Sequence, residues 1–303
     1  MPVATPRPEF VSFLSDYGFA DEFVGVCKSV ILSIAPHLQI IDVSHNIPAH
    51  DVRAGALTLV RAAQYLPLGI ILAVVDPGVG TDRRAIAVQT ESCILIGPDN
   101  GILAPAVAIL GGALSAVSLT NPDYLLESAG PTFAGRDVFA PAAGFIASGV
   151  ALGDLGESID PASLTPGMLP IADTDGDEVR CEIWWIDSFG NAQLNIGPES
   201  LAERGLVVGD QIEVKIRDNA GMLRWVHTYA DAKPSEFALV VDSYGLCSLV
   251  LDRRSAAAEH DLRIGTEVRI STPPATVVGA GARTVKEPVV TEVSITRPLG
   301  ETE

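Results

Sequence analysis

IILAVVDPGVGTDRR, residues 70–84, decides the fold because an unbroken apolar run leads directly into a polar, glycine-rich loop. The run from Ile70 to Val75 is typical of a strand that is buried on both faces. Asp76 follows it at once, and loops at the ends of buried strands carry chemistry on a rigid scaffold. The same Asp-Pro-Gly sequence is also an ordinary turn. The pattern therefore predicts a buried strand that delivers Asp76 either to a functional site or to a turn.

Strands and helices alternate on both sides of this stretch. The predicted strands are 10–14, 38–43, 70–75, 85–88, 93–96 and 116–119, and the predicted helices are 21–34, 51–65, 103–110 and 139–148. Such alternation predicts an α/β domain, a mixed sheet with helices on both faces, over residues 1–153.

The pattern changes after Gly153. Residues 154–176 are rich in glycine, proline and aspartate, which predicts a linker. Short strands follow at 178–186, 192–195, 211–216, 225–228, 236–241, 246–251 and 267–271. Strands at this spacing predict a small all-β, barrel-like domain over residues 177–273. Residues 274–303 are expected to form a loose tail, with an added edge strand at Val289–Ile295 as the alternative.

Composition narrows the range of functions. The net charge of −18 argues against nucleic acid or an anionic membrane as a partner. The four cysteines have no metal-ligand spacing, so we expect buried free thiols, no metal site and a cytoplasmic location. The N-terminal residues show no apolar signal-peptide core. Proline and glycine interrupt the longest apolar tract, which predicts no membrane span.

Four short motifs carry a family resemblance: FLSDYG at 13–18, DPGVGTDRR at 76–84, GPDNG at 97–101 and IDSFGN at 186–191. Because the four motifs occur in this order and at this spacing, the chain resembles the S-adenosylmethionine hydroxide adenosyltransferase family from about Phe10 to Thr272. Fluorinating and chlorinating enzymes that use the same substrate are relatives of that family. The resemblance implies that water attacks the ribose 5′-carbon of S-adenosylmethionine, giving adenosine and methionine without a cofactor. It also implies a homotrimer with sites between subunits.

The resemblance implies two catalytic residues, Asp76 and Arg83. A carboxylate accepts a proton from water, and an arginine favours the hydroxide form. Halogenating relatives carry an uncharged residue where Asp76 stands. For Arg83 the alternative is a surface ion pair with Asp82.

The family's third catalytic residue is a histidine, and this chain departs from the pattern there. The matching motif reads FAGRD at 133–137, so Ala134 stands in the histidine position. Two interpretations stay open: a natural variant with altered activity, or a substitution introduced to trap a ligand. Losing a positioned acid–base group costs ~10²–10⁴ in rate, so binding is expected to outlast turnover.

The remaining site residues are also implied by the resemblance. Asp16 would accept hydrogen bonds from both ribose hydroxyls, with a helix cap as its alternative role. Asp21 and Phe23 would lie near the methionine end, and Phe133 would face the adenosyl group. Trp184 and Trp185 could face it too, although ordinary core positions are the stronger prediction for them.

Residues from the second half of the chain complete the implied substrate site. Asp187 would pair with the methionine ammonium, and Asn191 would bind an adenine edge. Ser243 and Tyr244 match a motif that contacts the methionine carboxylate. Because halogenating relatives have arginine where Tyr244 stands, carboxylate recognition must depend on hydroxyls and backbone N–H groups.

Three alternative functions remain open at this point. Because Ala134 stands in the position of the family histidine, one alternative is a non-catalytic protein that binds adenosine or S-adenosylmethionine. Asp76 disfavours a halogenase, because its carboxylate would repel a halide. A methyltransferase is disfavoured because no glycine-rich nucleotide loop follows the first strand.

Overall fold

The structure is a computed structural model that describes residues 7–272 except 168 and 177. The predicted tail at 274–303, with its possible strand Val289–Ile295, lies outside the described residues.

A seven-stranded mixed sheet forms the N-terminal domain. Its strands are β1 (Phe10–Ser15), β2 (Gln39–Ser44), β3 (Gly69–Val74), β4 (Ala85–Gln89), β5 (Cys93–Pro98), β6 (Ser115–Leu119) and β7 (Gly156–Ile159). They are arranged in the order β2-β1-β3-β5-β4-β6-β7. The first four in this order run parallel, and β4, β6 and β7 each pair antiparallel with their neighbours.

The central strand β3 explains why its sequence is apolar without a break. Ile70, Leu72 and Val74 belong to the core on one face of the sheet, while Ile71 and Ala73 belong to the core on the other. Successive side chains of a strand point to opposite faces, so a strand covered on both sides alternates between two cores.

Helices cover both faces of this sheet. They are α1 (Phe23–Ile34), α2 (Val52–Ala63), α3 (Ala104–Ile109) and α4 (Ala140–Ala147). Side chains of α1 and α4 fill one core, and side chains of α2 and α3 fill the other. Asp51, the first residue of the helix predicted at 51–65, caps α2: its side chain accepts a hydrogen bond from the N–H of Ala54.

The C-terminal domain is a closed barrel of seven strands. After β8 (Asp173–Asp175) come β9 (Glu178–Ile186), β10 (Ala192–Leu194), β11 (Gln211–Ile216), β12 (Asn219–Trp225), β13 (Ala238–Val241), β14 (Cys247–Val250) and β15 (Glu267–Ser271). Pairing of β10 with β9 closes the barrel, and β8 pairs with the outside of β9. Two short helices, α5 (Glu199–Ala202) and α6 (Ala256–Glu259), lie in its connections. The predicted fold class, α/β followed by an all-β barrel, is confirmed.

Several predicted boundaries shift by one or two residues, and the following differences bear on the fold or the site. The strand expected at 225–228 is wrong: β12 ends at Trp225, because residues 219–224 pair with β11 across a tight turn at residues 217–218. The segment expected as a linker contains β7, an edge strand of the first sheet. Helix α1 begins at Phe23 rather than at Asp21.

The two domains contact each other within one chain. Arg53 on α2 forms an ion pair with Glu182 on β9. Trp185 on β9 packs against the core that contains α2 and α3. All four cysteines are buried free thiols, as predicted. Within the part of the chain that the structure describes, no helix is long and apolar enough to cross a membrane.

Candidate active site

An ion pair between Asp76 and Arg83 stands at the end of β3. The Nε of Arg83 donates to both carboxylate oxygens of Asp76, at 2.9 and 3.0 Å, and its Nη2 contacts Oδ2 as well. The Asp76 side chain is 7% exposed and that of Arg83 is 15% exposed, so the pair is shielded from bulk water. Arg83 therefore pairs with Asp76 and not with Asp82.

Neighbouring loops hold this strand end in place. The side-chain amide of Asn100 donates to the carbonyl of Val75 at 2.8 Å, and its oxygen accepts from the N–H of Ile102 at 3.2 Å. A Cβ on Gly97 would lie 2.3 Å from the carbonyl oxygen of Ala73, so only glycine fits at the end of β5. The GPDNG motif thus fixes the backbone that carries Asp76.

Asp76 opens into a cleft of about 600 Å³ at the edge of the sheet. The cleft brings together five residues that the sequence predicts for the site: Asp16, Phe23, Asp76, Phe133 and Ala134. They come from the ends of β1 and β3, the start of α1 and the segment before α4. The parallel strands β1 and β3 end at the same edge, which explains how distant segments meet.

Asp16 faces this cleft with part of its hydrogen-bonding capacity in use. Its Oδ2 accepts from the backbone N–H of His50 at 2.9 Å. Oδ1 receives no hydrogen bond from the described residues. Glu22, not Asp16, precedes α1, so the helix-cap alternative for Asp16 is wrong.

Three aromatic rings pack together at this cleft. Tyr17, Phe23 and Phe133 make edge-to-face contacts, with ring centres 5.0 to 5.8 Å apart. Burial raises the pKa of Tyr17 well above its ordinary value, so its hydroxyl stays neutral. The cluster offers flat apolar surfaces and one hydroxyl to a ligand.

Ala134 lines the cleft at the start of a π-helical turn, Gly135–Phe139. Such turns are rare and occur frequently at functional sites. A Cβ on Gly135 would lie 2.2 Å from the hydroxyl of Tyr17, so this glycine lets the tyrosine approach the turn. Ala134 itself is 8% exposed and has ordinary helical dihedral angles.

Two histidines lie near the cleft without occupying the position of Ala134. His50 lines the cleft with a left-handed backbone, at φ 66°. His45 is buried beside its own strand end, with Nδ1 2.7 Å from the hydroxyl of Ser15 and Nε2 3.1 Å from Asp42. Burial lowers the pKa of His45, so the ring is neutral.

Four other predicted residues, Asp187, Asn191, Ser243 and Tyr244, line a second, smaller cleft of about 60 Å³. This barrel cleft lies at the end of β9 and also contains Arg61 and Trp185. Both oxygens of Asp187 accept hydrogen bonds within its own loop: Oδ1 from the N–H groups of Phe189 and Asn191, and Oδ2 from the Asn191 amide, each at 2.9 Å.

The structure therefore divides the predicted residues between two clefts. Two predicted residues line neither cleft: Arg83, which reaches the first cleft only through its pair with Asp76, and Asp21, which is exposed. Glu22 lines the first cleft instead of Asp21. Sequence reasoning missed Tyr17, His50 and Arg61. Tyr17 lies inside the FLSDYG motif and His50 lies outside every motif, but no spacing pattern distinguishes either residue. Arg61 has the spacing of an ordinary helix surface.

The fold and these clefts define a two-domain class, in which an α/β domain is followed by a closed barrel. The family model described as the SAM hydroxide adenosyltransferase N-terminal domain matches residues 11–156, and its C-terminal counterpart matches residues 181–269. The chain belongs to the SAM hydroxide adenosyltransferase family.

Individual relatives agree with this assignment. (R)-S-adenosyl-L-methionine hydrolase from Salinispora tropica is 40% identical over 268 residues, which make up 88% of this chain and 98% of the relative. A fluorinase from an Actinoplanes species is 26% identical, covering 86% of this chain and 97% of that protein. The crystal structure of an uncharacterized conserved protein from Thermotoga maritima aligns with a TM-score of 0.80 and 28% identity, covering 86% of this chain and 99% of that one.

Proposed function

We propose that this protein hydrolyses S-adenosylmethionine to adenosine and methionine by attack of water at the ribose 5′-carbon. The observation that carries the proposal is the carboxylate of Asp76, which is paired with Arg83, shielded from bulk water, and lines a cleft that also contains Asp16. The relative named (R)-S-adenosyl-L-methionine hydrolase adds support through its identity across nearly the whole chain.

The reaction requires the protein mainly to position and polarise the attacking water. The leaving sulfur becomes a neutral thioether, so no general acid is needed. Asp76 accepts a proton from the attacking water, and Arg83 holds the carboxylate and stabilises hydroxide character. Orientation of water and carbon contributes several kcal/mol, up to ~7–11. No cofactor takes part in this scheme.

Asp16 and the aromatic residues suit the adenosyl group. The unused oxygen of Asp16 is available to the ribose diol, and a charge-assisted contact would orient the sugar. Phe133, Phe23 and Tyr17 would pack against the base and ribose. On the amino-acid side, we propose that Asp187 binds the ammonium, Ser243 and Tyr244 contact the carboxylate, and Asn191 binds an adenine edge. Asp21 would act near the methionine end.

We further propose that a complete site forms between subunits of a homotrimer. The two clefts are separate within one chain, whereas the proposed substrate contacts both groups of residues. If the site forms between copies, dilution that separates them abolishes adenosine binding together with assembly. Light scattering and calorimetry on one dilution series test this, and a monomer that still binds adenosine tightly would contradict it. The domain limits given above and a cytoplasmic location are likewise proposals.

Two other functions give different products. A halogenase would need a halide beside the carboxylate of Asp76, which like-charge repulsion opposes. A non-catalytic binding protein is favoured by one observation, the missing imidazole at Ala134.

Incubation of the protein with S-adenosylmethionine and chloride, followed by chromatography, separates these cases. Adenosine and methionine in equal amounts are expected from the wild-type protein, and much less from Asp76→Asn at matched stability. A 5′-halogenated adenosine, or bound substrate without any product, would overturn the proposal.

A further inference from the structure

Arg61 extends from the N-terminal domain into the barrel cleft. It lies near the end of α2, and its guanidinium carbon is 4.0 Å from the ring centre of Tyr244 and 5.1 Å from that of Trp185. Both distances are within the range of cation–π contacts. Stacking on its flat faces leaves the N–H groups at the guanidinium edge free to bind an anion.

The charge of Arg61 has no counter-ion in the described part of the chain. None of those residues places a carboxylate oxygen within 4.0 Å of it or accepts a hydrogen bond from it. Arg53, on the same helix, is paired with Glu182. A half-buried guanidinium that two aromatic rings hold in place without a counter-ion keeps its N–H donors available for an anionic group.

The carboxylates of the same cleft are already engaged. Asp187 is held by its own loop, as described above. Asp242 accepts from the N–H of Tyr244 at 2.8 Å, from the amide of Gln193 at 2.5 Å and from the hydroxyl of Ser248 at 2.9 Å. These contacts fix the turn that presents Tyr244, so the aromatic platform under Arg61 is rigid.

We propose that Arg61 binds the α-carboxylate of the substrate's amino-acid end and makes the enzyme selective for substrates that carry it. This inference rests on the proposed function. Of the two acids that line the barrel cleft, Asp187 is the one proposed for the ammonium, and Arg61 would bind the carboxylate, so together they match an amino-acid zwitterion. Helix α2 of the N-terminal domain thus supplies a positive charge to a cleft whose other charged residues are carboxylates.

The test compares S-adenosylmethionine with its analogue that lacks the α-carboxylate. In Arg61→Met, which keeps side-chain length and aromatic contact, kcat/KM for S-adenosylmethionine should fall by ~10- to 100-fold, the range of one charge-assisted interaction. The value for the analogue should change by less than about threefold, so the preference for the carboxylate collapses. Arg61→Lys is the second variant, used if Arg61→Met does not fold. It should lose part of the preference for the substrate with the α-carboxylate and keep the rest.

Arg53→Met is the matched control. It removes a charge from the same helix and breaks a contact with the barrel, but Arg53 does not line the cleft. Any loss of kcat/KM in Arg53→Met should be equal for the two substrates, so the ratio of their kcat/KM values should stay unchanged. If Arg61→Met lowers kcat/KM for both substrates equally, or for neither, Arg61 has a structural role and the inference is wrong. If the wild-type protein neither binds nor hydrolyses S-adenosylmethionine, the proposed function fails and this inference fails with it.

Discussion

Replacing Ala134 with histidine tests how far the cleft is prepared for catalysis. Ala134 has ordinary helical dihedral angles, φ −58° and ψ −26°, so a larger side chain fits the backbone without strain. The cleft that it lines has a volume of about 600 Å³, which accommodates an imidazole. The Asp76–Arg83 pair is already in place, so histidine would add a single positioned acid–base group.

The expected gain follows from that addition. A positioned acid–base group contributes ~10²–10⁴ in rate. The hydroxyl of Tyr17 lies close to the turn and would restrict the imidazole ring. We therefore expect a rate gain at or somewhat below the lower end of this range. Adenosine formation should rise by at least ~10-fold, which corresponds to about 1.4 kcal/mol of barrier. KM should change little, because the added group contacts water rather than substrate.

The assay is initial-rate adenosine formation at saturating S-adenosylmethionine, with Ala134→Leu as the matched control. Leucine adds side-chain volume without a donor or acceptor, so it should not raise the rate. An unchanged rate in a well-folded Ala134→His variant would refute the reasoning, because position 134 would then not be the catalytic position. An equal rise in both variants would show that filled volume, and not acid–base chemistry, matters.

Three further predictions concern ligand binding and stability. Asp16→Ala should weaken binding of adenosine and of S-adenosylmethionine alike, whereas Asp187→Ala should weaken S-adenosylmethionine clearly more than adenosine, because it removes the partner of the ammonium and only loosens Asn191; equal calorimetric losses for both ligands in both variants would contradict this. Asn100→Asp removes the donor to the backbone of β3 and should lower the unfolding free energy by about 1–3 kcal/mol in urea titration. Asn121→Asp, which removes an exposed loop hydrogen bond to the carbonyl of Asp154, is the control, and it should lower the unfolding free energy by clearly less. Burial lowers the pKa of His45, so the unfolded chain binds its proton more readily, and unfolding free energy should fall as pH drops below about 6.5. His45→Gln should remove this part of the pH dependence, and an identical pH profile in both proteins would refute the assignment.

The α/β domain was predictable because its signals are local. The unbroken apolar run of β3 indicated burial on both faces, and Asp51 marked the start of α2. The error at 225–228 arose because the first four residues of Asn219–Trp225 are exposed on the barrel surface, so this half of the strand shows no alternation of buried and exposed positions. Pairing with β11, not hydrophobicity, defines that strand. Likewise β7 is short and polar, and becomes a strand because β6 offers it a free edge.

The site was predictable in part, for a related reason. Asp76 and Arg83 lie in one loop, so their pairing follows from a local motif. The contact of Arg61 with Tyr244 joins residues far apart in the sequence and depends on how two domains pack. The position of His50 beside Asp16 also depends on the tertiary arrangement, since a backbone N–H makes that contact.

Hydrolysis in oxygen-18 water tests the central claim most directly. Attack of water at the ribose 5′-carbon transfers the solvent oxygen to the product, so adenosine should carry the label at its 5′-hydroxyl and methionine should carry none. Mass spectrometry of both products measures this in one experiment, with Asp76→Asn as the slow control. Unlabelled adenosine, label in methionine, or no adenosine at all would contradict the proposed function.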